Sequence, residues 1–288
     1  MKLGIGLPAT IPNSPRELVL DWAKRADERG FSSLGITDRL VYPNLEPLIT
    51  LAAVSSVTKR VRLMTTVLVA PIRNTAFLAK EAATLDRLSG GRLSLGLGIG
   101  GREDDSLAAG IQHKSRSKRF EEQIRLMRKI WAGETLSDRV GKIGPSPTRK
   151  GGPEVLIGGY TSAAAARAGR LGDGYIAGGG LDAKAAASFY KTAEDAWKKA
   201  GREGKPRFVC SAYYALGPNA ADKGSTYIRN YYAFMGSSAE NVAKGVLSTP
   251  VGVENAVKSF SENGADELIL WPTIAELEQV ELASKYLK

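Results

Sequence analysis

The chain is poor in the residue types that build metal sites and catalytic nucleophiles. Its 288 residues include one cysteine, Cys210, and one histidine, His113. A single cysteine cannot form an internal disulfide, and these counts exclude cysteine clusters and multi-histidine metal sites. No Ser–His–Asp or Cys–His arrangement follows from the sequence. We therefore predict no metal, and expect any redox chemistry to come from an organic cofactor.

Long apolar runs are also missing. No stretch of about 18 apolar residues, the length that a membrane-spanning helix needs, occurs in the sequence. The first residues, MKLGIGLPATIP, are interrupted by Gly4, Gly6 and Pro8, unlike a secretory signal. We expect a cytoplasmic protein without a membrane partner. With 43% hydrophobic residues, the chain can form a full core, and we expect one domain over residues 1–288.

The charge balance is strongly basic. Forty Lys and Arg residues against 30 Asp and Glu give a formal charge of +10, which favours anionic partners. Nucleic acid is not expected, because the aromatic residues do not alternate with basic ones as a base-stacking surface requires. A small anionic molecule suits the charge equally well.

Eight apolar runs alternate with helical patterns along the whole chain. This alternation predicts an α/β protein with a (β/α)8 TIM barrel, and a doubly wound sheet would have fewer strands. Residues 137–152 are predicted to form a long loop. Ser14 is predicted to cap the first helix, and the last helix is predicted near residues 274–286. The predicted strands are Lys2–Gly6, Ser33–Thr37, Arg62–Val69, Leu93–Gly98, Val155–Ile157, Gly174–Ile176, Phe208–Ala215 and Glu267–Leu270.

The run LSGGRLSLGLGIGGREDD, Leu88 to Asp105, is the most informative segment. Glycines at 96, 98, 100 and 101 predict bare main chain at a strand end, where a flat, bulky ligand can lie. These glycines also satisfy G-x-G-x-x-G, but that motif should open directly into a helix, and no clear helical pattern begins before about Ser117. A glycine-rich strand without a ligand is the other alternative.

In a barrel of this kind, the chemistry lies on the loops after the strands. Asp38 and Arg39 follow the second strand, as either functional side chains or an ordinary surface pair. Residues 158–162, GGYTS, join a strand to a helix and predict either an anion site at the helix N-terminus or a simple cap. The basic run 113–119 is either near a bound anion or solvated.

Four blocks of the sequence resemble the luciferase-like monooxygenase superfamily, over essentially the whole chain. They are ERGFSSLGITDRL (28–40), RVRLMTTVLVAPIRNTAFLAKEAATLDRLSGGRLSLGLGIGG (60–101), VLIGGYTSAAAARAGRLGDGY (155–175) and ADELILWPT (265–273). The second block is the most specific. The resemblance implies a (β/α)8 barrel that uses FMN or the deazaflavin coenzyme F420.

The resemblance also implies roles for particular residues. Asp38 falls where family members contact the isoalloxazine or deazaflavin ring, and Val67-Leu68 falls where many deazaflavin-binding relatives have a non-proline cis peptide. Residues 99–101 match the segment along the ring edge. The implied cofactor contacts are Asp38, Val67, Leu68, Ala70, Ile99, Gly100, Gly101, Asp104, Gly158, Gly159, Thr161 and Ser162.

Two positions depart from the family pattern. Many relatives carry a proton-transferring histidine after the aspartate, where this chain has Arg39, and some carry a glutamate where this chain has Gly101. Asp38 and Arg39 are our candidate catalytic residues. Arg39 would orient or polarise an anionic or carbonyl-bearing substrate, and Tyr42, Glu103 or Asp104 would supply a proton.

We therefore expect an F420-dependent oxidoreductase that passes a hydride to or from a small organic substrate. The alternatives are an FMN-dependent monooxygenase that uses O2 and a cofactor-binding family member without catalysis. Deazaflavin lacks the nitrogen that eases reaction with oxygen, so the cofactor decides the reaction class. The alanine-rich helical faces are compatible with a homodimer.

Overall fold

Eight strand positions form one closed parallel barrel in the computed structural model, which describes residues 1–287. The sheet closes because the strand at Arg62–Thr65 pairs with the strand at Leu93–Gly98, where Leu63 lies opposite Leu93. Each strand lies beside the next barrel strand in the sequence, and the last lies beside the first. The barrel strands are β1 Lys2–Gly6, β2 Ser33–Ile36, β3 Arg62–Thr65 with its continuation β4 Leu68–Val69, β5 Leu93–Gly98, β8 Glu154–Gly159, β9 Gly174–Ala177, β10 Arg207–Tyr214 and β11 Glu267–Pro272.

Helices cover the outside of the barrel, and short 3-10 turns lie at several strand ends. The helices are α1 Arg16–Arg29, α2 Pro47–Val57, α3 Thr75–Leu88, α4 Glu103–Ala108, α5 Arg116–Trp131, α6 Ser162–Leu171, α7 Ala183–Lys199, α8 Ala220–Tyr231, α9 Ser238–Lys244, α10 Pro250–Glu262 and α11 Glu278–Ser284. The 3-10 turns are Pro8–Thr10, Ala70–Ile72, His113–Ser115 and Ala233–Met235. None of the helices in residues 1–287 is long and apolar enough to cross a membrane.

The predicted barrel is confirmed, and four local predictions are wrong. The third strand is not continuous but breaks after Thr65. The loop at 137–152 contains part of a hairpin, β6 Thr135–Ser137 and β7 Val140–Lys142. Ser14 does not cap α1; its hydroxyl donates to the Pro8 and Ile11 carbonyls. The last helix is α11, shorter than the predicted segment from Ile274 to Tyr286.

A short helix directly follows the glycine-rich strand, contrary to our expectation. Helix α4 begins at Glu103, where three consecutive acidic residues occupy its first turn. Carboxylates are favourable at a helix N-terminus, so the charged run that we predicted as a loop suits a helix start. The closed barrel, rather than the absence of a helix, therefore excludes a dinucleotide-binding fold for this motif.

The inside of the barrel is filled in layers, because inward-facing side chains recur at every second residue of a strand. The middle layer is apolar and contains Met64, Leu156, Ile176, Val209 and Ile269, all at most 3% exposed. Trp271 covers this layer toward the carboxyl ends of the strands. Its ring lies against Gly6 and Gly35, where a Cβ atom would be 2.3 and 3.0 Å from the indole.

The layer at the amino ends of the strands is charged and hydrogen-bonded. Glu267 is 1% exposed, pairs with Arg207 and accepts from the Ser33 hydroxyl at 2.6 Å. Arg207 also binds Glu154 at 2.5 Å, and the Ser94 hydroxyl donates to the same Glu154 oxygen. Buried charges are tolerated when they are paired in this way. This polar layer closes the amino end of the barrel.

Candidate active site at the carboxyl rim of the barrel

Asp38 lies directly beyond β2 and is held in a buried ion pair. Its side chain is 3% exposed and accepts from Arg73 Nη2 at 3.1 and 3.2 Å and from the Val69 main-chain N–H at 2.9 Å. Burial raises the pKa of the Asp38 carboxyl, and Arg73 and the Val69 N–H act in the opposite direction. Arg73 also binds Glu46 at 2.9 Å. The carboxylate thus fixes the start of β4.

Arg39 turns away from Asp38 and stacks on aromatic rings. Its guanidinium carbon lies 4.5 Å from the ring centre of Tyr42 and 5.6 Å from that of Tyr231. A second arginine, Arg102, lies 3.6 Å from the ring centre of Phe234 and 5.4 Å from that of Tyr231. The rim therefore holds two arginines among three aromatic side chains.

The acidic residues after β5 have different surroundings. Asp105 is 3% exposed and accepts from the main-chain N–H groups of Leu40 and Val41 at 3.1 and 2.7 Å, which anchors the loop after β2. Asp104 is half exposed, and its carboxylate lies 3.9 Å from Arg39 Nη2. Glu103 is exposed. Burial raises the pKa of the Tyr42 hydroxyl.

A non-proline cis peptide joins Thr66 and Val67, one bond before the position that the resemblance implies. Thr66 and Val67 are half buried, and the Val67 side chain packs on the apolar layer inside the barrel. Leu68 and Ala70 have no exposed surface, and their side chains belong to the core between strands and helices. Neither residue presents a surface at the rim, and their cofactor contacts stay a prediction.

The glycines of β5 do not leave open main chain, as we had expected. A Cβ atom at Gly96 would lie 2.7 Å from Ile176, and one at Gly98 would lie 2.6 Å from Val67. Gly158, on β8, likewise faces Val67 at 2.6 Å. Small residues are required here because neighbouring side chains fill the space. Our interpretation of Gly96 and Gly98 as room for a ligand is wrong. The predicted anion contact of Gly158 stays a prediction.

Open main chain begins only beyond the end of β5. Gly100 is half buried with a φ of +72°, a conformation that favours glycine, and a Cβ there would lie 2.6 Å from Val69. Gly101 is exposed, with no atom within 4 Å of where a Cβ would be. Ile99 before them is half buried. Arg116 Nε donates to the Gly100 carbonyl at 3.0 Å and holds this segment in place.

The basic run at 113–119 supports the rim rather than lying free in solvent. Arg119 donates to the carbonyls of Pro71 and Arg73 at 2.9 and 3.2 Å. Arg116 binds the Gly100 carbonyl, so Arg116 and Arg119 both use their charge to hold main-chain carbonyls of the rim. Lys114 and Lys118 are exposed.

The segment after β8 forms the N-terminus of α6. Thr161 caps this helix, accepting from the Ala164 N–H at 3.2 Å, so the prediction of a cap is confirmed. Thr161 and Ser162 are exposed, and no acidic residue lies in the first turn. Gly159 passes so close to Ala164 that a Cβ would lie 2.6 Å from its methyl group. The free N–H groups and positive dipole end of α6 suit an anion.

Two cavities lie away from these predicted contacts. One, of about 410 Å³, is at the amino end of the barrel between Lys2, Asp173 and Arg207. The other, of about 400 Å³, lies between α2 and α3 and includes Ile49 and Leu88. Within residues 1–287, no three His, Cys, Asp or Glu side chains are grouped as metal ligands.

Comparison with known proteins decides the family. The sequence profile of the luciferase-like monooxygenases matches residues 1–280. The chain belongs to the luciferase-like monooxygenase family. Solved structures of similar fold include a monooxygenase from Streptomyces bottropensis, with a TM-score of 0.79, 22% identity and coverage of 100% of this chain and 98% of that one.

Another luciferase-like fold neighbour is an F420-dependent secondary alcohol dehydrogenase bound to an F420-acetone adduct, with a TM-score of 0.83, 19% identity and coverage of 100% and 98% of the two chains. The FMN-bound oxygenating part of 3,6-diketocamphane monooxygenase from Pseudomonas putida has a TM-score of 0.75, 19% identity and the same coverage. At these identities the likeness shows the fold.

Curated relatives are closer in sequence but match only in part. An uncharacterized protein of Mycobacterium tuberculosis is 32% identical over 187 residues, 55% of this chain and 64% of that protein. The F420-dependent glucose-6-phosphate dehydrogenase of Kribbella flavida is 33% identical over 197 residues, 62% of this chain and 58% of that protein. The chain thus matches less than two thirds of the length of these relatives.

The rim residues fit a planar cofactor with an anionic tail. Gly101 offers exposed main chain, Val67 forms a half-buried apolar surface, and the α6 N-terminus has free N–H groups with no neighbouring acid in its first turn. Asp38 is connected to these elements only by the hydrogen bonds that it accepts from Val69 and Arg73. Its contact with a ring stays a prediction.

Sequence reasoning missed Tyr231 and Phe234 as parts of this rim, and it did not predict that Arg73 pairs with Asp38. Arg73 lies 35 positions from Asp38, and no local pattern connects the two. A usable signal did exist for the aromatic residues. The segment YIRNYYAF, residues 227–234, is dense in aromatics in a chain that has only 7% of them.

Proposed function

We propose that this luciferase-like protein is an F420-dependent oxidoreductase that transfers a hydride to or from a small organic substrate. The observation that carries the proposal is the open main chain at Gly101 on the same barrel rim as the uncompensated N-terminus of α6. The names of two relatives, both F420-dependent glucose-6-phosphate dehydrogenases with 32 and 33% identity, favour F420 over FMN.

Residues of the rim would hold the ring between an apolar surface and main chain. Val67 supplies the apolar contact, and Ile99 to Gly101 supply main-chain groups along an edge. Arg116 keeps the Gly100 carbonyl in place by its hydrogen bond at 3.0 Å. A site built on a supported main chain orients its ligand at little entropic cost.

The anionic part of the cofactor would bind at the start of α6. The N–H groups of Ser162 and Ala163 have no intrahelical acceptor, because they belong to the first turn of the helix. The Thr161 hydroxyl already accepts from the Ala164 N–H and so stabilises the helix itself. Gly158 and Gly159 bring the chain close to the helix start, so a phosphate group can approach the N–H groups directly.

When bound, the deazaflavin supplies or accepts a hydride, and the protein orients it and its substrate. Asp38 is a positioning residue in this scheme, because both of its oxygens are engaged by Arg73 and the Val69 N–H. It holds β4, and with it the adjoining Val67, at the ring. Arg39 would face the substrate, and Tyr42 would hold or release a proton beside it.

The test is cofactor binding by the purified full chain. Fluorescence titration with F420 should give a micromolar Kd, and FMN should not compete at the same concentration. The variant Gly101→Ala should weaken F420 binding by about tenfold, because its methyl group occupies the space beside the ring. The matched control is Gly141→Ala, an equally open glycine on the outer hairpin.

Each other outcome contradicts part of the proposal. Binding of FMN without F420 would make the protein an FMN-dependent monooxygenase candidate, to be tested by O2 consumption. Binding of F420 without turnover across alcohols, aldehydes and acids would make it a non-catalytic family member. Equal loss of F420 affinity in Gly101→Ala and Gly141→Ala would remove the rim from the cofactor site.

A further inference from the structure

Arg39 carries a buried hydrogen-bond donor that the protein does not use. Its side chain is 9% exposed, and Nε is fully buried without a partner. Nη2 donates to the Val41 carbonyl at 3.2 Å, and the nearest carboxylate oxygen, on Asp104, is 3.9 Å away. A guanidinium has five N–H donors, and burying a cation without an anion is costly.

The buried carboxylates of the rim are already engaged elsewhere. Asp38 binds Arg73 and the Val69 N–H, and Asp105 binds the N–H groups of Leu40 and Val41. Neither of them neutralises Arg39. The positive charge at this point of the rim is therefore balanced only by the half-exposed Asp104.

Arg102 adds a second cation to the same place. It lies against the rings of Phe234 and Tyr231, and its Nη2 donates to the Tyr231 carbonyl at 3.1 Å. Burial lowers the pKa of Arg102, and the charge of Arg39 lowers it further. Both guanidinium carbons lie over the same Tyr231 ring, 5.6 and 5.4 Å from its centre, and two like charges on one ring favour a shared anion.

Aromatic rings form the walls around both guanidinium groups. Tyr42 and Tyr231 meet edge to face with their centres 5.3 Å apart. Phe234 is 54% exposed and so lies at the solvent side of the cluster. A ligand that suits this surface has a carboxylate for the arginine forks and a flat apolar body for the rings.

We propose that Arg39 and Arg102 bind the carboxylate of the substrate, which is therefore a small organic acid with an apolar body. That the bound acid is the substrate rests on the proposed function, whereas the carboxylate site rests on the arginine and aromatic contacts alone. An arginine pair reads the planar carboxylate by paired N–H bonds, which a lysine cannot reproduce.

The test uses benzoate as the probe and benzamide as its neutral counterpart, added to the full chain without cofactor. Isothermal titration and thermal shift should detect benzoate binding and at least about tenfold weaker benzamide binding. Arg39→Gln and Arg102→Gln should each weaken benzoate binding by about tenfold or more. Arg39→Lys keeps the charge and a better chance of folding, and should recover only part of the affinity.

Arg202→Gln is the matched control, because Arg202 also stacks on an aromatic ring, 3.5 Å from the centre of Trp197 and outside the rim. It should leave benzoate affinity unchanged. Equal affinity for benzoate and benzamide, or unchanged benzoate affinity in both rim variants, would overturn the carboxylate site.

A second arm separates a substrate from the acidic tail of the cofactor. The affinity of Arg39→Gln for F420 is compared with its affinity for the deazaflavin chromophore that lacks the phosphate and glutamate tail. A selective loss of F420 affinity would assign the arginines to the tail and overturn the substrate proposal. If wild type binds benzoate but neither F420 form, the proposed function fails while the carboxylate site stands.

Discussion

Arg73 Nη2 lies 3.1 and 3.2 Å from the two carboxylate oxygens of Asp38, and this pair joins the second and third strand ends of the barrel. The same arginine reaches Glu46 with its other nitrogen at 2.9 Å. Together with the Val69 N–H, the pair fixes the rim segment that contains Val67. Its contribution to stability can be measured apart from any cofactor.

Arg73→Gln should destabilise the protein in a pH-dependent way. Burial raises the pKa of Asp38, and removal of the cation raises it further, so the folded protein retains a proton that the unfolded chain has lost. Stability is then lost as the pH rises from the unfolded toward the folded pKa. Urea unfolding should show a deficit of about 3 kcal/mol at pH 7 and much less near pH 4.

The double variant Arg73→Gln with Asp38→Asn is the control for this prediction. Without the carboxylate charge, the loss at pH 7 should be smaller and the pH dependence should flatten. A deficit of the same size at both pH values would show that packing of Arg73, rather than the charge of Asp38, is responsible.

Thr161→Ala tests whether the start of α6 binds an anion as well as capping the helix. Removal of the cap should cost about 1 kcal/mol of unfolding free energy, and the frayed first turn should weaken F420 binding. Thr249→Ala removes an equivalent cap from α10, where Thr249 accepts from the Gly252 N–H at 3.1 Å.

The two cap variants should therefore lose similar stability but differ in F420 affinity, measured by fluorescence titration. If Thr161→Ala and Thr249→Ala bind F420 equally well, the helix start has no part in cofactor binding.

Gly98→Ala should destabilise the barrel because its new methyl group meets Val67. The contact would be 2.6 Å, and overpacking of this kind costs about 1–3 kcal/mol. Adding Val67→Ala should relieve the clash, so the double variant should be more stable than the sum of the two single changes predicts. Strictly additive losses in urea unfolding would disprove the packing explanation.

The single thiol should be inert in the folded protein. Cys210 is fully buried, and burial raises its pKa far above the ordinary range. Its reaction with an aromatic disulfide reagent should be slow in buffer and fast and stoichiometric in about 6 M guanidinium chloride, because the thiolate is the reactive form. Rapid labelling of the native protein would contradict the described burial.

The barrel and its strand order could be predicted from the sequence because β-type and helical patterns alternate eight times. The interior could not. The glycines at 96, 98 and 158 are needed because Val67 and Ile176 fill the space beside them, and no local pattern reveals which distant side chain meets a glycine. Only Gly101 retains the open main chain that we expected.

The rim was predicted in outline and not in its contacts. The positions of Asp38, Arg39 and Thr161 at strand ends followed from the alternation. Which cation pairs with Asp38 did not, because Arg73 and Arg39 are equally plausible partners until the chain is folded. The same holds for Arg116 and Arg119, whose partners are main-chain carbonyls that carry no sequence signal.

The paired side chains of Glu267, Arg207 and Glu154 and the apolar layer beside them fill the inside of the barrel. A cofactor and a substrate would therefore share the carboxyl rim and bind there in turn. The molecule whose place is deeper has to arrive first and depart last, so we expect ordered kinetics, with the second reactant trapping the first. If the second reactant binds before the first, it blocks the site, so we expect the second reactant to inhibit at high concentration.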